Sequence, residues 1–360
     1  MRCSIIPPYL LDRLAASDSQ GHQKAAEAAR GSLHLESALD FRAIRADEQV
    51  ARRGLLAPVP EPGAFTEREL QGPQRTIYTA NNTEDLPGDV VREEDGGASG
   101  DPAIDEAYDG LGSTHELFRE VYARASINDS NLPLLGTVHF GVDYDNAFWD
   151  GERMVFGDGD DEIFVRMTAS LSVIGHELTH GVTQFSAGLK YEGQAGALNE
   201  SVSDVFGVLV EQYVKGESVD QATWLIGAGL FTDAVQGDAL RSLKAPGTAY
   251  DDDVLGKDPQ PSTMSGYVET TEDYGGVHLN SGIPNHAFYL AAVEIGGNAW
   301  EKAGLVWYDT ITGGALAPDS DFSDFATATV GAAAARYGGE SPERAAVLAA
   351  WDAVGIAVRP

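Results

Sequence analysis

Val173-Ile174-Gly175-His176-Glu177-Leu178-Thr179-His180 is the stretch on which the reading of this chain turns. Residues four apart on a helix lie about one turn apart on one face, so His176 and His180 can aim both imidazoles at a single metal ion. Glu177, next to the first histidine, then stands near the open side of that ion, where a carboxylate can take a proton from water. The pattern is short enough to arise by chance, and its meaning rests on the residues downstream of it.

Downstream, Ala197-Leu198-Asn199-Glu200-Ser201-Val202-Ser203-Asp204 puts a carboxylate 20 residues after His180. Two histidines and a glutamate with a fourth position open form the catalytic zinc pattern. Asp204 lies four residues beyond Glu200 on the same helical face, placed to accept the far ring N–H of a ligating histidine. Glu200 and Asp204 could also be an exposed helix face or a cap. The apolar run around them (Ala197, Leu198, Val202, Val205, Phe206) argues against a merely solvated stripe.

These two segments, together with Asn146 to Gly151 (NAFWDG), Met154 to Asp160 (MVFGDGD) and Asp273 to Gly282 (DYGGVHLNSG), resemble the thermolysin family of zinc endopeptidases. The similarity runs from about Arg75 to the C-terminus, with several motifs in the same order. Ser4 to Leu11 (SIIPPYLL) resembles the short propeptide of the protealysin branch of that family. The resemblance implies a protease made as a self-inhibited zymogen, with zinc on His176, His180 and Glu200 and with Glu177 as general base. It assigns donors for the developing oxyanion to His278 and Tyr191, with Asp273 orienting His278. It gives Arg241 the substrate carbonyl beyond the scissile bond, and Asn146 and the backbone of Ala147 the alignment of the peptide as an added strand. Phe164, Val173, Leu230 and Leu240 would line the pocket for the residue after the cut, implying a large hydrophobic residue there. Each of these four reads almost as well as plain core, and a lone histidine such as His278 is often structural. The glycines before His278 favour close approach to a ligand.

The sequence departs from the family pattern at its double calcium site. Glu211 remains, but Ser172 stands four residues before His176 where an aspartate is expected, and Thr223 to Ala228 lacks acids. The double site is therefore expected to be absent. Asp238, near Phe231 and Thr232, is a weaker candidate for calcium. Asp158-Gly159-Asp160-Asp161 lacks the full EF-hand spacing and reads as a turn.

The chain carries 24 basic against 56 acidic residues, a net charge of −32, so nucleic acid and anionic membranes are excluded as partners. Protein and peptide substrates and the chain's own propeptide are the expected partners, and a monomer is expected. Six lysines and an acidic surface fit a high-salt habitat, or equally an ordinary soluble protein of a GC-rich genome. Cys3 is the only cysteine, so no disulfide can form within the chain. No apolar stretch near the N-terminus reads as a secretory signal, and no run reaches membrane-spanning length, so the protein is expected in the cytoplasm or exported by a non-standard route.

Residues 1–65 read as propeptide and linker, with helices at 9–17, 20–30 and 33–52 and a Pro- and Gly-rich processing region from Arg53 to Pro73. Residues 66–185 read as an N-terminal α+β domain that includes the zinc helix. Strands are expected at Arg75–Ala80, Asp89–Arg92, Gly136–Phe140 and Arg153–Phe156, and a capping box at Ser113–Glu116 is expected to open a helix. Residues 186–360 read as a helical domain, with helices at 198–214, 221–231, 281–294, 300–311, 322–337 and 343–354, and with Asp251 to Asp253 in a solvated loop. The fold class is α+β, in two domains joined by the zinc helix.

Cys3 could occupy the open metal position as a thiolate plug. Alternatively Ile5, Ile6, Tyr9 and Leu10 block the cleft by packing, with Pro7 and Pro8 stiffening the segment. An inactive peptide-binding relative and an exopeptidase are the competing functions. Retention of Glu177 argues against the first, and the cleft-lining resemblance argues against the second.

Overall fold

A computed structural model describes residues 3–17, 22–53 and 70–359, with 40–53 described by backbone alone. The amino-terminal half is built on a mixed six-stranded sheet. Its strands are β1 (Cys3–Ser4), β2 (Arg75–Thr79), β3 (Asp89–Glu93), β4 (Leu134–Val138), β5 (Ala147–Trp149) and β6 (Met154–Phe156), in the order β1-β5-β6-β4-β2-β3. β2 runs parallel to β4 and β4 to β6, while β5 is antiparallel to both β6 and β1. Residues 3 and 4 are thus an edge strand of this sheet.

Two helices carry the motifs. Every residue from Ser172 to Thr183 in α4 (Leu171–Gln184) is buried, so this helix is enclosed on nearly all sides and its polar residues face a built interior. It packs closely on α5 (Gly193–Lys215), which holds Glu200 and Asp204. Glycines set that spacing: a Cβ on Gly207 would lie 2.5 Å from the Ser172 carbonyl oxygen. The remaining helices are α6 (Asp273–Asn280), α7 (Gly282–Ile295), α8 (Ala303–Thr312), α9 (Phe322–Tyr337) and α10 (Pro342–Ala353). Their core includes Trp307 stacked on Trp351, with ring centroids 6.1 Å apart. The N-terminal sheet half and the C-terminal helical half match the expected architecture, with α4 at their junction.

Several local expectations change. In the amino segment, α1 (Pro8–Ala15) is followed by one continuous helix, α2 (Gln23–Arg53), in place of the two expected. Gly31 lies between those two, but a single helix glycine costs only about 1 kcal/mol and does not end a helix. α3 (Pro102–Tyr122) begins well before Ser113: Asp101 caps it by accepting from the Ala103 N–H, and Pro102 opens it. Thr114 instead bonds back to the Gly110 carbonyl inside the helix. Residues 221–231 form turns and a short strand, β7 (Leu225–Ile226), paired with β8 (Arg241–Ser242). Asp252, expected in solvent, is buried and accepts from the Gln236, Val254 and Leu255 N–H groups. Of the expected processing region, Arg53 to Pro73, residues 54–69 lie outside the described residues.

Candidate active site

His176, His180 and Glu200 converge, with one ligand atom from each within 4.8 Å of the others. The far ring nitrogens fix the tautomers. His176 Nδ1 lies 2.8 Å from Asp204 Oδ1, and His180 Nδ1 lies 2.9 Å from Asn199 Oδ1. A carboxylate and an amide oxygen only accept, so both Nδ1 atoms carry a proton, and in a neutral ring the Nε2 atom then presents its lone pair. These lone pairs face each other across 3.1 Å in a fully buried space, with Glu200 oxygens 3.4 and 3.5 Å away. Burial pushes the His180 pKa down to about 4, so its ring is neutral at pH 7. Among the described residues, Glu200 Oε2 is buried without a hydrogen-bond partner. Facing lone pairs beside a buried carboxylate repel unless a cation lies between them, and two histidines with one carboxylate suit zinc.

The groups around this centre are held from several elements. The Trp149 N–H of β5 donates to Glu177 Oε2 at 3.0 Å, fixing the carboxylate next to the histidines. Tyr191 donates its hydroxyl to Glu200 Oε1, and that hydroxyl lies 3.2 Å from His278 Nε2. His278 Nδ1 stands 2.6 Å from Asp273 Oδ1, and the His278 backbone N–H donates to the same carboxylate at 2.9 Å. Burial alone would lower the His278 pKa, but the Asp273 and Glu200 carboxylates outweigh it and raise it to about 9. The ring is therefore cationic at neutral pH and donates from both nitrogens. Asp273 and Tyr274 take left-handed φ values of 50° and 51°, and Gly275 and Gly276 continue at 89° and 73°. This run of left-handed residues folds the aspartate back onto the histidine five residues later.

Arg241 and Asp204 form a fully buried pair. The guanidinium meets both carboxylate oxygens, Nε to Oδ2 at 2.9 Å and Nη2 to Oδ1 at 2.8 Å. Asn285 Nδ2 donates to Asp204 at 2.8 Å. Burial would raise the Asp204 pKa, but Arg241 and His176 hold it well below the carboxylate range. One carboxylate therefore orients both a metal-facing histidine and the cleft arginine.

The amino end of the chain lies along this cleft. Cys3 and Ser4 pair with Trp149 and Phe148. The Ile5 N–H donates to the Ala147 carbonyl at 3.1 Å, and the Ile6 N–H donates to Asn146 Oδ1 at 2.9 Å. Arg241 Nη1 donates to the Ile5 carbonyl at 3.1 Å, and Asn146 Nδ2 to the Ile6 carbonyl at 3.2 Å. Ile5 and Ile6 are fully buried in the main apolar core, which also takes in Phe164, Val173, Leu230 and Leu240. Pro7 is extended, with φ −63° and ψ 145°, and Pro8 opens α1. Cys3 is buried against Tyr191 and Val277 and is not one of the converging donors.

In the region of the expected calcium departure, Ser172 Oγ accepts from the Gly227 N–H at 3.1 Å, and Glu211 pairs with Lys215. Asp160 Oδ1 accepts from the Glu162, Ile163 and Phe164 N–H groups, a turn as expected. Sequence reasoning missed Asn199, Asn285 and the Trp149 N–H. Asn199 had a signal in its place beside Glu200; the other two had none.

The descriptions "Thermolysin metallopeptidase, catalytic domain" and "Thermolysin metallopeptidase, alpha-helical domain" match residues 65–184 and 187–356. An "Extracellular metalloprotease" of Pectobacterium carotovorum subsp. carotovorum is 48% identical over 99% of this chain and 97% of its own. A "Thermolysin" of Alicyclobacillus acidocaldarius subsp. acidocaldarius is 39% identical over 78% of this chain and 50% of its own. The solved "Precursor of Protealysin, Metalloproteinase from Serratia proteamaculans" superposes with a TM-score of 0.86 at 47% identity, covering 99% of this chain and all of that one. With its buried two-histidine, one-glutamate centre at the junction of a sheet half and a helical half, the chain belongs to the thermolysin family of zinc metalloproteases.

Proposed function

We propose that this metalloprotease cuts inside polypeptides, on the amino side of a large apolar residue, with Glu177 as general base. The observation that carries this reading is the path of the chain's own amino end, which passes through the cleft with Cys3 and Ser4 on one side and Ile5 onward on the other. A cleft that accepts chain on both sides of the centre suits internal cleavage, whereas an exopeptidase closes one side.

Zinc, when bound by His176, His180 and Glu200, supplies charge that makes water acidic and a carbonyl electrophilic. Glu177, held by the Trp149 N–H, takes the proton of the attacking water and passes it to the leaving nitrogen. His278, cationic and oriented by Asp273, donates to the carbonyl oxygen as negative charge develops there, and Tyr191 supplies a second donor once it turns from Glu200. Arg241 grips the next carbonyl, while the Ala147 carbonyl and Asn146 hold the peptide as an edge strand. A buried apolar pocket around Phe164, Val173, Leu230 and Leu240 selects the residue after the cut.

We read residues 1–65 as an inhibitory propeptide and linker. It blocks the cleft through backbone pairing and buried isoleucines, with Pro7 and Pro8 leading the chain away. Residues Ser172 and Glu211, bonded to Gly227 and Lys215, support a fold that does not lean on a double calcium site. Relatives named extracellular support export. The proposed reaction needs no second copy, and we infer a monomer. Incubation with casein and with end-blocked peptides carrying one internal leucine, with and without a chelator, tests the function. Chelator-sensitive cleavage before the leucine is expected, and release of terminal residues alone would refute it.

A further inference from the structure

The amino end does more than cover the cleft: its register places one particular peptide group at the reacting position. The Ser4 carbonyl oxygen lies 2.9 Å from His278 Nε2. That ring nitrogen is also within 3.2 Å of the Tyr191 hydroxyl and 3.6 Å of Glu200, at the edge of the metal centre. The nitrogen of the same peptide group, Ile5 N, is held by the Ala147 carbonyl, two residues before the Trp149 N–H that fixes Glu177. The next carbonyl, Ile5 O, is on Arg241, and the next amide is on Asn146. Ile5 is fully buried in the main apolar core. Carbonyl, nitrogen and following carbonyl thus fall where a substrate's would.

We propose that the Ser4–Ile5 bond is a cleavage site of the chain's own active centre, cut within the same molecule, with Ile5 read as the residue after the cut. The inference rests on the peptidase reading above. Water adds its hydroxyl to the Ser4 carbonyl carbon, the Ser4–Ile5 bond breaks, and Glu177 carries the water's proton to the Ile5 nitrogen. The products are a short peptide ending in the Ser4 carboxylate and a chain beginning at the Ile5 amine. The cut does not open the enzyme. Ile5 and Ile6 stay buried, Arg241 and Asn146 keep their bonds to them, and α1 still anchors the segment, with Arg13 Nε donating to the Val254 carbonyl at 2.9 Å. The product stays in the cleft as a bound inhibitor, and full activity waits for removal of the whole segment.

The test uses the full chain loaded with zinc and followed by intact mass. The expected result is loss of the residues ahead of Ile5, a new terminus at Ile5, and disappearance of the only thiol from the protein. Glu177→Gln should stay whole. Ile5→Asp should lose the cut at this bond while an added end-blocked peptide is still hydrolysed. A second readout needs no turnover. In chelator-treated protein, Cys3 should react with a thiol reagent at least tenfold faster in Ile5→Asp than in the parent, because the amino end has left the cleft. Hydrolysis of the added peptide with residues 1–4 retained, or a new terminus elsewhere in the segment, overturns the cleavage site alone. Equal thiol reactivity in parent and Ile5→Asp overturns the register. Loss of both reactions with the thiol still shielded sinks the peptidase reading and the cut that rests on it.

Discussion

At the scale of single residues, Glu177 is not among the converging ligand atoms, and its carboxylate accepts from the Trp149 N–H. Glu177→Gln should therefore keep zinc and lose about 10²–10⁴-fold or more in turnover, the range for removal of a general base. Metal analysis beside a peptidase assay checks this, and near-parent activity would sink the mechanism. His278→Ala should likewise keep zinc and lose about 10²-fold, the scale of one oxyanion donor. A fall in metal content would make His278 a ligand. Cys3→Ser in the uncleaved chain should be as silent as the parent, because the thiol lies outside the donor set. Early activity in that variant would restore the thiolate plug. The convergence of His176 and His180 was legible because helical periodicity puts residues four apart on one face, and that of Glu200 because it sits within an otherwise apolar helical run. Asn285 was not, because its partner Asp204 is 81 residues away and no spacing rule spans that distance. Nor was the Trp149 N–H, since a backbone donor leaves no mark in side-chain identity.

At the scale of elements, legibility followed how far each element depends on tertiary contact. α9 was readable over its whole length, Phe322–Tyr337, from its helical spacing, and the structure adds the Asp321 cap. Within 221–231, which carries helical spacing, Leu225 and Ile226 instead pair with β8, a partner outside the stretch itself. The contact between α2 and the sheet gives a pH prediction. The Asp145 N–H donates to Ser32 Oγ of α2 at 3.0 Å, and among the described residues neither carboxyl oxygen of Asp145 has a hydrogen-bond partner. Burial, reinforced by Asp160, pushes its pKa well above the carboxylate range. A carboxyl with a raised folded pKa favours the fold while protonated. Its contribution is whole below the unfolded value of about 4 and is lost as pH rises toward the folded value, at about 1.4 kcal/mol for each pH unit between the two. Asp145→Asn should raise the melting temperature of the precursor at pH 7 and flatten its fall above pH 4. Melting curves from pH 4 to 8 check this, and an unchanged slope would refute it.

At the scale of the whole molecule, a net charge of −32 repels itself in the compact state, and salt screens that repulsion. The melting temperature should rise between low and molar salt, and a flat response would remove the high-salt reading. Calcium should add little, since Ser172 and Glu211 are committed to Gly227 and Lys215; a rise of tens of degrees would show a site of another kind. The sheet itself has one more consequence. With residues 3 and 4 in place, β5 is an interior strand, and once they leave it becomes a border. An exposed border with unsatisfied amides and carbonyls recruits any extended chain, including a neighbouring copy. The segment proposed to inhibit the enzyme should then also keep newly made molecules apart. Chains lacking residues 1–10 should associate more readily in light scattering even when Glu177→Gln has removed all cutting, and equal scattering by full and shortened chains would refute this second role for the short strand.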